Sequence, residues 1–332
     1  MVNKYMKQAL IEAWKYQFLT YPNPAVGACV VQDGNILAVE AHHKAGMPHA
    51  EVNALKTAFL KKYPNSKLKN LTNSYDIHDY LIKNHNNFFN RCELYVTLEP
   101  CNHKGKTPAC ANLLKEVGIK KVYIGSLDPN SEASGGKKTL LNNNIDVEVA
   151  IMKKECDELI FPFKKWQKDK FRFFKLAIRK DGSCDGGYIT SQDSLNLVHE
   201  IRTKLDLLII GGNTVRTDRP TLDARFAKKN KPSDILILSN KNNFDRSIPL
   251  FNIKNRDVFI DSNLSNYKAK FSMVEGGYNF LKLLKNDIDM LMLFISHKKS
   301  KNKQFNIESF GFKKIYSYYI NRYDEVCFYK PF

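Results

Sequence analysis

Three residues in the N-terminal third have the types and spacing of a metal site: His49, Cys101 and Cys110. One imidazole and two thiolates supply three ligands of a tetrahedral zinc ion, and an open fourth position is typical of catalytic zinc. Glu51 follows His49 by two positions, where its carboxylate can take a proton from water at the metal and pass it to a leaving amine. The pattern predicts a hydrolytic deaminase with Glu51 as the acid and base.

The cysteine spacing departs from the general signature of nucleobase deaminases. That signature combines H-x-E with P-C-x-x-C, whereas Cys110 follows Cys101 by nine positions. Two other interpretations remain open at this point, a non-catalytic zinc-binding scaffold and a zinc-dependent deaminase that edits tRNA or another nucleic acid. Glu51 argues against the scaffold, because a structural site needs a fourth ligand and no general base.

The charge of the chain bears on the nucleic-acid alternative. The net charge is +18 at pH 7, which favours an anionic partner. However, the dense basic runs, such as residues 298–303, lack the interleaved aromatic side chains on which bases stack. We therefore predict that the partner is a small molecule and not nucleic acid.

The elements around the metal residues must bring distant segments together. Asp33-Gly34 predicts a hairpin turn, and we expect His49 and Glu51 in the first turn of a helix and Cys101 in the turn after a strand. The alternation of helices and strands predicts a three-layer α/β domain with a mixed sheet. Apolar patterns predict helices over residues 3–17, 49–60, 110–117 and 137–142 and strands over 26–31, 36–41, 94–97, 121–126 and 145–150.

The length of 332 residues accommodates two domains. We place a deaminase domain at 1–150 with an insertion at 61–91, to which we assign no chemistry, and a linker at 151–170 with a helix over 154–168. A second α/β domain occupies 171–332. Its predicted elements are strands over 173–178, 207–210, 235–238, 258–260, 271–274 and 290–295 and helices over 191–204 and 278–285.

The composition sets further expectations. No apolar run approaches the length of about 20 residues that spans a bilayer, and no signal peptide is visible, so we expect a cytoplasmic protein without a membrane partner. Seven scattered cysteines do not indicate a disulfide framework. We expect Cys29, Cys156, Cys184 and Cys327 in the core and the insertion residues His78 and His85 at the surface.

Four segments of the first half resemble the deaminase half of the bifunctional riboflavin-biosynthesis deaminase/reductase family: residues 21–27, 49–52, 97–110 and 128–130. That family uses His-x-Glu and two cysteines separated by eight residues, so the unusual spacing supports the resemblance. The resemblance implies a cytidine-deaminase-like domain that binds Zn²⁺. It also implies a phosphorylated pyrimidine substrate, and the candidates for holding its ring and phosphate are Asn23, Lys106 and Thr107.

The second half resembles the reductase domain of the same family through the order of its motifs, at 175–177, 181–182, 189–191, 212–222 and 275–277. The resemblance implies a dihydrofolate-reductase-like α/β fold, NADPH as cofactor and a homo-oligomer. Tyr188 stands where the family commonly has tryptophan, after a shortened loop. The implied NADPH contacts are Thr214, Asp218 and Gly277, and the implied substrate contacts are Arg202, Leu222, Arg225 and Glu275.

The resemblance implies two reactions. The first would be hydrolytic deamination of 2,5-diamino-6-(5-phosphoribosylamino)pyrimidin-4-one, and the second would be reduction of its ribosyl group to ribityl by NADPH. The resemblance of the second half of the chain therefore predicts that the deaminated product is the substrate of the reductase domain.

Overall fold

The computed structural model describes residues 2–103, 105, 107–184, 187–228, 231–298 and 307–332. It divides into two compact units, residues 1–164 and 165–332. The division falls within segment 151–170, which holds two helices, α6 (Lys153–Leu159) and α7 (Phe161–Lys168), where the sequence predicts one. Pro162 explains the break, because it has no N–H to donate to the turn before it. Among the described residues, no helix has the length and apolar character that crossing a bilayer requires.

The first unit is built on a mixed five-stranded sheet in the order β2-β1-β3-β4-β5. Strands β3, β4 and β5 run parallel, and β1 is antiparallel to β2 and β3, which confirms the predicted mixed sheet. The elements are α1 (Val2–Trp14), β1 (Gly27–Gln32), β2 (Asn35–Ala41), α2 (Ala50–Lys62), α3 (Ser74–Asn84), β3 (Cys92–Leu98), α4 (Cys110–Glu116), β4 (Lys121–Ser126), α5 (Gly136–Leu141) and β5 (Asp146–Val149).

Helices cover both faces of this sheet. Helix α1 packs so closely on β1 that a Cβ at Gly27 would lie 1.9 Å from the carbonyl oxygen of Ala9. Helices α2 and α4 contribute Leu55 and Leu113 to the core on the other face, together with Val96 of β3. The β1–β2 turn has positive φ at Asp33 and Gly34, as a tight hairpin requires. The fold therefore brings the start of α2 and the carboxyl end of β3 to one edge of the sheet.

Segment 61–91 is more ordered than the sequence suggests. It contains α3 and two 3₁₀ turns, Lys67–Asn70 and Phe88–Arg91. Ile77 and Leu81 of α3 pack into the core of the unit. The expectation that His78 is a surface residue is wrong: it is 4% exposed, because it lies on the same buried face of α3.

The second unit contains an eight-stranded sheet in the order β12-β13-β11-β6-β10-β7-β8-β9. The six strands from β11 to β9 are parallel, and β13 is antiparallel to β11 and β12. Strands β12 and β13 were not predicted. The elements are β6 (Phe171–Arg179), α8 (Gln192–Arg202), β7 (Leu207–Gly211), α9 (Gly212–Asp218), β8 (Asp234–Leu238), β9 (Val258–Asp261), β10 (Phe271–Glu275), α10 (Tyr278–Leu284), β11 (Met290–Ser296), β12 (Phe312–Tyr319) and β13 (Asp324–Pro331).

The cysteine predictions divide at the loop after β6. Cys29, Cys156 and Cys327 are buried as predicted. The prediction for Cys184 is wrong, because it is exposed and lies in the loop that follows β6. That loop borders the cavity of the second unit, so a side chain there faces solvent instead of the sheet.

Candidate active sites

The fold brings His49, Cys101 and Cys110 together. Nδ1 of His49 lies 3.5 Å from Sγ of Cys101 and 3.4 Å from Sγ of Cys110. His49 was predicted in the first turn of α2. It is the N-cap of that helix, one position before the first turn. Cys101 follows β3, and Cys110 is the first residue of α4. The three residues form a compact set of potential ligands, with donor atoms within 4.8 Å of one another.

These distances fit a zinc ion. Bonds of about 2.0 Å to nitrogen and about 2.3 Å to sulfur, at the tetrahedral angle, place the two ligand atoms about 3.5 Å apart. The measured separations of 3.5 Å and 3.4 Å agree with that geometry. The two thiols therefore lie at the distances from Nδ1 of His49 that ligands of one tetrahedral ion would have.

Glu51 lies beside this cluster and is 4% exposed. Its carboxyl group is within hydrogen-bonding reach of the Cys110 thiol. Burial raises the pKa of Glu51 to about 7. A carboxyl group with a pKa near neutrality can accept a proton and return it in the same reaction cycle.

The ring of His49 is oriented from its other side by Thr107. Nε2 of His49 lies 3.2 Å from Oγ1 of Thr107. With Nδ1 facing the thiols, Nε2 carries the proton and donates it to the hydroxyl, which is how proteins commonly fix a ligating histidine. Thr107 is 7% exposed. Thr107 was predicted as a substrate contact. In the structure its hydroxyl lies against His49, within the metal site.

Asn23 is held by a histidine that the sequence analysis did not single out. Nδ1 of His42 lies 3.1 Å from the carbonyl oxygen of Pro48, and its Nε2 lies 3.2 Å from Nδ2 of Asn23. Burial and the neighbouring His49 lower the pKa of His42 to about 4, so the ring is neutral and Nε2 accepts from Asn23. His42 begins the loop after β2, and only its closeness to His49 in the fold marks it as part of the site. Lys106 lies outside the described residues.

Glu99 positions the segment that carries Cys101. Its carboxylate accepts hydrogen bonds from the backbone N–H groups of Asp128, Gly135 and Lys137, at 3.2 Å, 3.1 Å and 2.9 Å. It therefore fastens the end of β3 to the loop before α5. The sequence motif contains Glu99, but its role depends on backbone groups that lie far away in the chain.

Segment 61–91 also reaches this site. Tyr75, in the first turn of α3, donates a hydrogen bond of 3.0 Å from its hydroxyl to the carbonyl oxygen of Gly105. Gly105 lies between Cys101 and Cys110, in the loop that links them. The segment to which no chemistry was assigned thus contacts the loop that carries two metal ligands.

In the second unit a cavity of about 590 Å³ lies at the carboxyl ends of parallel strands. In open α/β sheets this edge is where ligands bind. Gly276 and Gly277 line it between β10 and α10, and a Cβ at Gly277 would meet no atom within 4 Å. All the predicted reductase residues line this cavity: Arg202, Thr214, Asp218, Leu222, Arg225, Glu275 and Gly277.

A buried ion pair crosses the cavity wall. Arg202 donates to both carboxylate oxygens of Glu275, at 2.8 Å to Oε1 and 2.9 Å to Oε2. Burial favours the neutral form of Glu275, but the charges of Arg202 and Lys175 outweigh it and lower its pKa. Lys175 lines the cavity as well, and burial lowers its pKa. No role was predicted for Lys175, although it begins segment 175–177, one of the motifs that resemble the reductase domain.

Arg225 and Asp223 form a second pair at the cavity. Nε of Arg225 lies 2.8 Å and 3.0 Å from the two carboxylate oxygens of Asp223. The Arg225 side chain is about half exposed, whereas Asp223 is 8% exposed. The pair thus presents a guanidinium group at the surface of the cavity.

Comparison with known proteins assigns both units. The profile of the cytidine and deoxycytidylate deaminase zinc-binding region matches residues 1–126, and the profile of the RibD C-terminal domain matches residues 178–295. The first match covers His49, Cys101 and Cys110, and the second covers the cavity residues from Cys184 to Gly277. The first unit is therefore a zinc-binding deaminase domain and the second a RibD-type reductase domain.

Relatives span both units. The riboflavin biosynthesis protein RibD of Aquifex aeolicus is 32% identical over 308 residues, which cover 88% of this chain and 79% of that protein. RibD of Synechocystis is 35% identical over 211 residues, 61% of this chain and 50% of that protein.

A solved structure agrees over the full length. The diaminohydroxyphosphoribosylaminopyrimidine deaminase/5-amino-6-(5-phosphoribosylamino)uracil reductase of Thermotoga maritima matches with a TM-score of 0.64 and 26% identity, covering 100% of this chain and 99% of that chain. The two units, their order along the chain and the residues gathered in each thus all agree with one family, and the chain belongs to the RibD family of riboflavin biosynthesis proteins.

Proposed function

We propose that this chain catalyses two successive reactions of riboflavin biosynthesis. The first unit hydrolyses the 2-amino group of 2,5-diamino-6-(5-phosphoribosylamino)pyrimidin-4-one to ammonia. The second unit reduces the ribosyl group of the product to ribityl with NADPH. The main support is that one unit gathers a zinc-type ligand set beside Glu51 and the other gathers every predicted reductase residue in one cavity.

In the deamination, His49, Cys101 and Cys110 would hold the zinc ion, which supplies an activated water when bound. Glu51 accepts a proton from the attacking water and delivers it to the departing amino nitrogen. Nδ2 of Asn23 donates a hydrogen bond to His42. The side-chain oxygen Oδ1 of Asn23 can therefore accept a hydrogen bond from the pyrimidine. The chain thus orients the ring and moves the proton.

In the reduction, NADPH bound beside Thr214, Asp218 and Gly277 would supply a hydride. Converting C1 of the ribosyl group to a CH₂ group also consumes one proton, and Lys175 is a buried proton donor that lines the cavity. Arg225 uses Nε for Asp223, which leaves its two terminal amino groups for the substrate phosphate. Arg202 directs three hydrogen bonds to Glu275 and holds this acid in the cavity wall.

The experiment that tests this proposal follows the two reactions separately. The zinc-loaded protein is incubated with the diamino-pyrimidinone, and ammonia and NADPH absorbance are recorded independently. We expect ammonia release without NADPH, and NADPH oxidation only when the deaminated product is present. Deamination of RNA without NADPH consumption would instead support the nucleic-acid editing alternative.

A further inference from the structure

Arg256 lies outside the residues that line the reductase cavity, in the loop before β9. Its guanidinium nevertheless reaches the cavity wall from behind. Nη1 donates to the carbonyl oxygen of Leu222 and Nη2 to that of Thr221, each at 2.8 Å. Nη2 also donates to the carbonyl oxygen of Leu250. One side chain thereby joins the cavity wall to the 3₁₀ turn Pro249–Asn252.

Leu222 needs such support because of its backbone conformation. Its φ is +53°, in the left-handed region that a branched L residue rarely adopts. The side chain is 8% exposed and lines the cavity. A strained conformation of this kind persists only where surrounding contacts hold it. The two hydrogen bonds from Arg256 act on the carbonyl groups on either side of the Leu222 Cα.

A second guanidinium continues the pattern. Nη1 of Arg202 donates to the carbonyl oxygen of Asp223 at 2.9 Å. Three consecutive carbonyl groups, of Thr221, Leu222 and Asp223, are therefore held by two arginine side chains that come from different parts of the unit. The carbonyl groups are fixed from the protein side, so that the side chains of Leu222 and Arg225 are presented to the cavity.

We propose that Arg256 is a positioning residue of the reductase, which holds segment 221–225 in the conformation that binds the phosphorylated pyrimidine. This inference rests on the proposed function of the cavity. Arginine suits the task because its planar fork can reach two carbonyl groups at once, which a lysine ammonium does less well. Without Arg256, Leu222 leaves the left-handed conformation and the substrate has to restore it on binding.

The expected effect is on substrate binding. If the competent conformation falls to about a tenth of its population, the apparent affinity falls about tenfold. KM for the deaminated pyrimidine should therefore rise about tenfold in Arg256→Met, with a smaller change in kcat. KM for NADPH should stay the same, because Thr214, Asp218 and Gly277 lie outside the segment. Arg256→Lys should show most of the same defect.

The test compares Arg256→Met and Arg256→Lys with Arg246→Met in the full-length protein. Arg246 is a matched control, since it is exposed and stacks on Phe251 at 4.4 Å in the same region. Ammonia release by the same preparations reports that the first unit has folded, and an unchanged KM for NADPH reports that the second unit has folded. Hydrogen exchange should be faster in residues 221–226 of the Arg256 variants and unchanged in β10. Added ethylguanidinium should restore part of the affinity in Arg256→Ala, where the truncated side chain leaves room for it.

Three results would overturn the inference. The first is an unchanged KM for the pyrimidine, and the second is an equal loss of affinity for NADPH, which would make Arg256 a general stabiliser of the unit. The third is faster exchange throughout the second unit. If the unsubstituted protein oxidises no NADPH with the deaminated pyrimidine, the proposed function itself fails, and this outcome is distinct from the other three.

Discussion

The deaminase and reductase units hold their key loops with opposite kinds of anchor. In the first, the Glu99 carboxylate accepts from backbone N–H groups of residues 128–137 and fixes the loop after β3. In the second, the guanidinium groups of Arg202 and Arg256 donate to three consecutive carbonyl groups and fix segment 221–223. Both devices hold backbone groups with hydrogen bonds from or to a charged side chain, which are stronger than those between neutral groups. The first unit thus uses an anionic acceptor for backbone N–H groups, and the second uses cationic donors to backbone carbonyl groups.

The sites also differ in how far apart their residues lie in the chain. The metal-binding set comes from two short stretches, because a zinc ion requires its ligand atoms within a few ångströms of one another. The reductase cavity takes residues from β6 to the start of α10, spread over about a hundred positions. A cavity that holds a cofactor and a substrate distributes recognition over several strand ends. Substitution of a ligand in the first site should therefore abolish ammonia release almost completely. Substitution of a single residue in the second site should lower the reductase activity only in part.

Removal of the metal should have the largest effect. After dialysis against a chelator, ammonia release should be lost completely. The ion held by His49, Cys101 and Cys110 is the group that activates the attacking water in the proposed reaction. NADPH oxidation with the deaminated pyrimidine should be unchanged. Zinc added back should restore ammonia release in proportion to the metal bound, measured by elemental analysis. A parallel loss of NADPH oxidation would break the separation between the two sites.

Glu51→Gln should have the next largest effect. Loss of the general acid and base should lower ammonia release about 10²–10⁴-fold, whereas metal content should stay normal because Glu51 is not a ligand. Asp79→Asn makes the same chemical change at an exposed position of the same unit and should be neutral. Normal ammonia release by Glu51→Gln would contradict the proposed proton transfer.

Arg202→Met should destabilise the reductase unit. Removing Arg202 leaves the largely buried Glu275 carboxylate without its hydrogen-bonding partner, although Lys175 still lies near it, so we expect a cost of up to about 3–5 kcal/mol. Each unit has one buried tryptophan, Trp14 in the first and Trp166 in the second. Urea unfolding in a Trp14→Phe background therefore reports the second unit by fluorescence.

Arg91→Met provides the control for the ion pair. Its pair with Asp33 is exposed, and such a pair contributes at most about 1 kcal/mol. In a Trp166→Phe background, the free energy of urea unfolding of the first unit should change little in Arg91→Met. Equal shifts for Arg202→Met and Arg91→Met would mean that burial of the Arg202–Glu275 pair has no energetic consequence.

Tyr75→Phe should have the smallest effect and would sharpen the comparison at the edge of the deaminase site. It removes the hydrogen bond from α3 to Gly105, and a neutral hydrogen bond contributes about 0.5–1.5 kcal/mol. Ammonia release should fall a few-fold without loss of zinc, and NADPH oxidation should not change. Wild-type ammonia release in Tyr75→Phe would show that segment 61–91 does not influence the site.

Most elements of the fold could be predicted because their hydrophobic periods are local. Strand β4 and the β1–β2 hairpin match their predicted positions closely. Strands β12 and β13 were missed, since β12 lies at the edge of its sheet and mixes exposed with half-buried residues. The burial of His78 was missed for a related reason, as α3 packs its polar residue into the unit next to Ile77.

The sequence by itself determined the chemistry of the two sites. Metal binding demands particular side chains, so His49, Glu51, Cys101 and Cys110 are recognisable from type and spacing alone. Only the tertiary structure decided which residues support them. His42, Tyr75 and Arg256 act through hydrogen bonds to residues distant in the chain or to backbone carbonyl groups, which every residue possesses. Such contacts leave no pattern in the sequence, because nothing about a carbonyl oxygen depends on the residue that carries it.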